Sequence, residues 1–133
     1  LLEANTPNAF KKLQAFSKLC SAQVKKVDSK TRLAIHLAAV FGCNFTNALF
    51  AVSYQLFQKA LSIQEIKLLH PILQQSFQKM LTMGPLNSQT GPAKRNDQVT
   101  MQKHLALLKS DKRLTSVYKV ASELIQTQQH VKL

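Results

Sequence analysis

The sequence predicts a mainly α protein, a helical bundle built round one long central helix and preceded by a partial β-α-β unit. Three observations predict it. Residues 33–58 carry no formal charge when His36 is neutral, and their apolar side chains recur at helical spacing. Two of the three glycines and two of the four prolines fall between 84 and 92, so the helix-breaking residues are gathered in one place. Residues 1–27 pair two short apolar runs with a single helical pattern between them. At 133 residues the chain is one domain's worth, able to bury a core without metals or disulfides.

Taken in order, Leu1 to Ala4 form a short apolar run, and Thr6-Pro7 is an N-cap followed by proline at the first helical position. Ala9, Phe10, Leu13, Phe16 and Leu19 then give a helix over about 7–19. Residues 21–27 are too short and too β-branched for a helix and read as a strand or extended link. A two-strand unit cannot bury itself, so these strands belong to a sheet whose remainder lies elsewhere. Ser29 is the expected cap of a helix over about 30–61, with Leu33, Leu37, Val40, Phe41, Phe45, Leu49, Val52 and Leu56 on a wide apolar face. Ser62-Ile63-Gln64-Glu65 has the spacing of a capping box that opens a new helix. Pro71 kinks or restarts that helix, which runs to about 82. A loop over 83–96 follows, then a helix capped by Asp97 to about 109, and a last one opened by Asp111 to about 128. The expected division is 1–28 and 29–133.

The uncharged stretch invites a reading as a membrane span. His36, Asn44, Thr46, Asn47, Ser53 and Gln55 would each need a partner in hydrocarbon, and anchoring residues do not flank both ends. A helix covered by other helices or by a second subunit accounts for the pattern at lower cost. Cys20 and Cys43 match no ligand spacing, which predicts buried thiols and a reducing, cytoplasmic setting. Leu1 to Asn5 have no basic n-region or apolar h-region, and read as the interior of a domain rather than as a signal peptide.

The balance of 18 Lys+Arg against 6 Asp+Glu gives +12, which suggests nucleic acid. The cations are dispersed, only three are arginine, and no aromatic residues interleave with them. An acidic remainder of a longer protein, or an anionic small molecule, would answer the charge equally well. No Gly-x-Gly-x-x-Gly, Walker A, Gly-x-Ser-x-Gly or His-Glu-x-x-His motif is present. No His, Cys or carboxylate set has metal-ligand spacing, so no metal is expected; His70, His104 and His130 read as solvated or capping residues.

Two places concentrate polar chemistry. On the long helix His36, Asn44 and Asn47 fall at i, i+8 and i+11 and approach one face as a buried polar row, which a ligand, an incoming loop, the core itself or a dimer partner could satisfy. Gly42 would let another backbone approach that helix. The eight residues Thr90-Gly91-Pro92-Ala93-Lys94-Arg95-Asn96-Asp97 combine turn chemistry with two cations, an amide and a carboxylate. The planar fork of Arg95 suits a carboxylate or phosphate, while Asp97 reads as an N-cap. The same stretch also reads as a helix connector, in which Arg95 pairs with Asp97 or caps a helix.

The run His36-Leu37-Ala38-Ala39-Val40-Phe41 with Asn44-Phe45-Thr46-Asn47, then Gln89-Thr90-Gly91-Pro92-Ala93-x-Arg95-x-Asp97 and His104-Leu105, resembles the C-terminal domain of a family of Rossmann-like NADP-dependent oxidoreductases. That family is related to pyrroline-5-carboxylate reductase and 6-phosphogluconate dehydrogenase, and the likeness covers residues 1–127. The resemblance implies that Leu1 to Val27 close a Rossmann domain whose glycine-rich turn lies upstream. It implies that the helical part supplies a homodimer interface and one wall of the active cleft. NADP, bound mainly by the upstream domain, is the implied cofactor, and an anionic small molecule the implied partner. Asn44, Asn47, Thr90, Gly91, Arg95 and Asp97 become candidate binding residues, with His36 and Asn44 as candidate catalytic ones. Related dehydrogenases often place a lysine four residues before the asparagine; Val40 stands there, so that lysine is absent. On this reading the chain is not catalytically complete alone, binds no specific nucleic acid and enters no membrane. Rival readings are a basic helical nucleic-acid-binding module and a purely structural dimer.

Overall fold

Thr6 starts the first helix as its sequence requires, its hydroxyl accepting from the N–H of Ala9 at 3.2 Å, and Pro7 sets the first helical φ. The computed structural model describes residues 1–20 and 23–128, so Ser21 and Ala22 of the expected strand, and His130, lie outside the described residues. Helix α1 spans Pro7–Cys20. On either side of it, Leu2 and Lys26 form a parallel bridge: Leu2 N–H donates to the Lys25 carbonyl at 2.9 Å, and Val27 N–H donates to the Leu2 carbonyl at 3.1 Å. One bridge is too little for a named strand, yet the alternation of donor and acceptor is that of a parallel ladder with a helical crossover. The β-α-β reading of the opening therefore holds in its connectivity.

The long helix begins at α2, Ser29–Ala39, passes through a π-helical turn at Val40–Phe45 and continues as α3, Thr46–Ala60. Its cap is Asp28 rather than the expected Ser29: the Asp28 carboxylate accepts from Thr31 N–H at 2.7 Å. The Ser29 hydroxyl turns instead to Glu3, whose other oxygen meets Arg32 Nε at 2.7 Å. The interruption at 40–45 was not foreseen from the sequence. Its wide turn is closed by Thr46, whose hydroxyl donates to the carbonyl of Phe41 five residues back at 3.1 Å.

At the expected capping box, Glu65 reaches back to the N–H of Ser62 at 3.1 Å and to its hydroxyl at 2.8 Å. The segment it opens is a 3-10 helix, Ile63–Leu69, and the α-helix restarts as α4, His70–Met83, with Pro71 in its first turn. Gly84, at φ 79°, ends α4 where a side chain would be strained. The expected 83–96 loop is shorter than the sequence suggested, because α5, Pro85–Ser88, occupies its first part and packs on α4. Helices α6, Gln98–Leu108, and α7, Lys112–Gln128, then form an αα-hairpin. Asp111 accepts from the N–H groups of Arg113 and Leu114, both at 3.0 Å, and the Thr115 hydroxyl donates to the Leu108 carbonyl at 2.9 Å.

Two compact units result, Leu1–Ile66 and Lys67–Leu133. In the first, the central helix is not covered by other helices of this chain, the first of the two expected alternatives: no residue of α2, the π turn or α3 is buried, and Leu33, Leu37, Phe41, Phe45 and Leu49 are each at least half exposed. Ser29–Ala60 is long and apolar enough to cross a membrane by length and composition alone. Cys20 and Cys43, expected as buried thiols, are both exposed, so burial says nothing of their redox setting. In the second unit the buried residues among those described are Ala93, in the 90–97 loop, and Ser122, on α7, only 5% and 6% exposed. The chain exposes 11004 Å². Two free-standing globules of half its mass would together expose about 8,500 Å².

Candidate functional site

His36, Asn44 and Asn47 belong to the first unit; Thr90, Gly91, Arg95 and Asp97 belong to the second. All three residues of the helical row are exposed, so the row is not satisfied within the core of this chain. The π turn corrects their alignment. An i→i+5 turn takes up one extra residue, so residues beyond it lag the α register by about 100°. Asn47, eleven residues from His36 and aligned with it in a straight α-helix, is turned off that line, while Asn44 lies inside the turn itself. Phe41 and Phe45 flank it, their rings edge to face at 5.0 Å. Among the described residues, nothing beyond the helix's own backbone comes within 4 Å of a Cβ placed on Gly42, so the close approach expected there is not made by them.

The 90–97 loop is brought together as its sequence suggests. Gly91 at φ 103° and Asn96 at φ 53° supply two left-handed residues, one at each end of the turn. Between them Asn96 N–H donates to Ala93 at 3.2 Å, and Asp97 N–H donates to Pro92 at 2.9 Å. Asp97 is the N-cap of α6, accepting from Thr100 N–H at 3.0 Å and from its hydroxyl at 2.7 Å. The Thr100 backbone bond, then its hydroxyl, hold the Asp97 carboxyl below the usual carboxylate range, and the charges of Arg95 and Lys103 act in the same direction. With its oxygens so engaged Asp97 shapes the loop and is poorly placed to act as a base. Arg95 is exposed and, among the described residues, lies within ion-pair distance of no carboxylate. Its alternative reading as the partner of Asp97 is thus not realised, and its fork remains available to an anionic ligand.

The sequence reading missed one pair. His104, expected to be solvated or capping, is half-buried, with Nδ1 2.9 Å from the Tyr118 hydroxyl and the rings edge to face at 5.7 Å. On α6 it follows Asp97 and Thr100 at i+7 and i+4, so a polar line runs from the loop along the α6–α7 seam. Half-buried positions on α7 at 114, 118, 121 and 125 would have revealed the facing stripe, had α7 been paired with α6 at the outset. An open groove of about 780 Å³ along α4, over Leu73, Phe77 and Leu81, contains none of the candidate residues.

A helical domain with a long central helix, a β-α-β opening and a Thr-Gly-Pro-x-x-Arg-x-Asp loop is the class these features define, an all-α domain like the C-terminal half of NADP-dependent oxidoreductases. The structure is similar to the crystal structure of a "putative NADP oxidoreductase" from Bacteroides fragilis, with a TM-score of 0.86 and 32% identity over 94% of this chain. The chain spans 48% of that protein, about half its length. It belongs to the family described as Domain of unknown function (DUF2520), which it matches over residues 1–125. No curated protein matches it.

Proposed function

We propose that this chain is the helical half of a cytoplasmic NADP-dependent oxidoreductase, providing the dimer surface and the substrate-side wall of a cleft whose dinucleotide is held mainly by a Rossmann domain. The observation that carries this reading is the match of nearly all of this chain to about half of an oxidoreductase-like chain. The sequence has no Gly-x-Gly-x-x-Gly turn, so the phosphate cradle is assigned to the other half. What this chain offers the cofactor is one charged fork, Arg95, in a turn held by Gly91, Asn96 and Asp97; that donor set fits a phosphate or carboxylate oxygen. Bound NADPH would supply the hydride. In the second unit Arg95 holds an anionic group and Thr90 and Gly91 form the wall beside it; in the first, Asn44 and Asn47 present carboxamides from the long helix as a separate set of candidate donors. With valine at position 40, His36 and Asn44 are the groups left to handle a proton.

The dimer is supported by the uncovered face of the long helix. The exposed area of 11004 Å² exceeds that of two free globules by roughly 2,500 Å². A stable interface takes about 800 Å² from each partner, well within that excess. A second copy covers the uncharged 33–58 face without burying a charge, whereas a bilayer would strand His36, Asn44 and Asn47.

The site reading is tested by titrating NADPH into the full-length protein and its Arg95→Ala variant, beside their melting curves. Loss of about 1.5–3 kcal/mol of binding with little change in melting is expected for a charge-assisted hydrogen bond. Unchanged affinity with a large fall in melting temperature would make the loop a structural clasp. The dimer is tested by sedimentation equilibrium, in which a clean monomer at micromolar concentration rejects it.

A further inference from the structure

We propose that Gln126 is a positioning residue for Arg95, acting through Asn96, so that the last turns of α7 set the aim of the anion-binding loop. This inference rests on the reading that Arg95 binds NADPH. Asn96, next to Arg95 in the chain, is the one described residue other than glycine with positive φ, at 53°. An L-residue stays in that region only where its surroundings hold it. The surroundings are specific: Asn96 Oδ1 accepts from Gln98 Nε2 at 2.7 Å and from Gln126 Nε2 at 3.2 Å. Gln98 is a neighbour on the same turn, but Gln126 reaches across thirty residues from α7. One turn before it on α7 sits Ser122, only 6% exposed, and the loop contributes Ala93, only 5% exposed. These are the two buried residues among those described, so the loop and the end of α7 each carry an enclosed position beside the Asn96–Gln126 bond.

The physical consequence follows from the loop's other bonds. Arg95 N–H donates to Gly91 only at 3.4 Å, a long contact that by itself holds the Arg95 backbone loosely. Its direction is therefore set by its rigid neighbours, Asn96 on one side and the Ala93 anchor on the other. Freeing the Asn96 carboxamide lets residue 96 leave the left-handed region and swings the Arg95 side chain with it. Fixing a ligand-binding group beforehand raises affinity by removing the ordering that binding would otherwise require.

The test is calorimetric titration of NADPH into the full-length protein at fixed ionic strength, on a double-mutant cycle. Gln126→Met keeps the side chain's length and helix preference and removes only the donor. It should weaken NADPH by about three- to tenfold, the range for losing one neutral hydrogen bond. Asn96→Gly keeps the left-handed backbone without strain but removes the acceptor of both the Gln98 and the Gln126 bonds; it should lose at least that factor, and the two together should lose no more than Asn96→Gly alone. In an Arg95→Ala background, Gln126→Met should change nothing, since there is no fork left to aim. An equal loss in that background would place the action of Gln126 elsewhere and overturn the proposal. If Arg95→Ala weakens NADPH and Gln126→Met does not, the aiming role fails while the NADP reading stands. If Arg95→Ala itself leaves NADPH binding unchanged, the reading beneath both fails.

Discussion

The hydroxyl of Tyr118 lies 2.9 Å from Nδ1 of His104, joining α7 to α6 at half-buried positions of their seam. Their rings meet edge to face at 5.7 Å, so one contact combines a hydrogen bond with aromatic packing. Tyr118→Phe keeps the ring and removes the bond. We expect it to destabilise the protein by about 1 kcal/mol, and Tyr118→Ala by more, measured as the shift of the urea midpoint at constant m-value. A Phe variant as stable as the parent would show that the pair contributes packing alone.

Three carboxylates, Glu3, Asp28 and Asp97, are held below their ordinary range, each mainly by hydrogen bonds. The Ser29 hydroxyl, then Arg32, act on Glu3, and the Thr31 backbone on Asp28. The Thr100 backbone acts on Asp97. A depressed folded value means that the unfolded chain binds more protons, so stability rises with pH through the interval. The contribution is complete above the unfolded carboxylate value of about 4 and is lost as pH falls through the lower folded values. Melting temperature should fall steadily on acidification below about pH 4.5, and Asp97→Asn, which can still cap α6, should flatten part of that slope. An unaltered slope in the variant would mean that the other two carboxylates carry the dependence.

The fold was legible where one residue decides one local bond. Thr6-Pro7, Asp97 and Asp111 each begin a helix where expected, because capping depends on side chains within three residues. The opening crossover was legible for a related reason: two apolar runs about a helix's length apart leave few other connections, and Leu2 pairs with Lys26. The π turn was not legible, since Gly42 and Thr46 fit an α-helix equally well and only the Thr46 bond to Phe41 tells them apart. What covers the long helix was not legible, because apolar periodicity says that a face must be covered and not which chain covers it. At the loop, Arg95 and Asp97 were legible by chemistry. The tie between Asn96 and Gln126 was not, as a thirty-residue separation leaves no local signal.

The net charge of +12 should produce only weak, salt-sensitive binding to nucleic acid. The lysines are spread over α1, α2, α3, α4, α6, α7 and the segments between them, and no row of aromatic residues accompanies them to stack bases. Binding of unrelated DNA duplexes should be equal within error and should vanish as sodium chloride is raised through the physiological range. A sequence-selective, nanomolar complex at physiological salt would instead favour a nucleic-acid-binding module over the oxidoreductase reading.

The apolar face of the long helix makes the last expectation the most direct. Leu37 and Phe41 are 57% and 59% exposed, so replacing them removes little packing within the chain, and surface changes of that kind usually alter stability by about 0.5 kcal/mol or less. In a dimer the same side chains would lie in the dry centre of the interface, where a carboxylate is buried without a partner. Phe41→Glu should therefore convert dimer to monomer at micromolar concentration while helical circular dichroism is retained. Leu107→Glu, on α6 at an 81% exposed position, is the matched control and should leave the assembly unchanged. Light scattering coupled to gel filtration reads both. A Phe41→Glu protein that remains dimeric would move the interface off this face, and a control that dissociates would place it on α6.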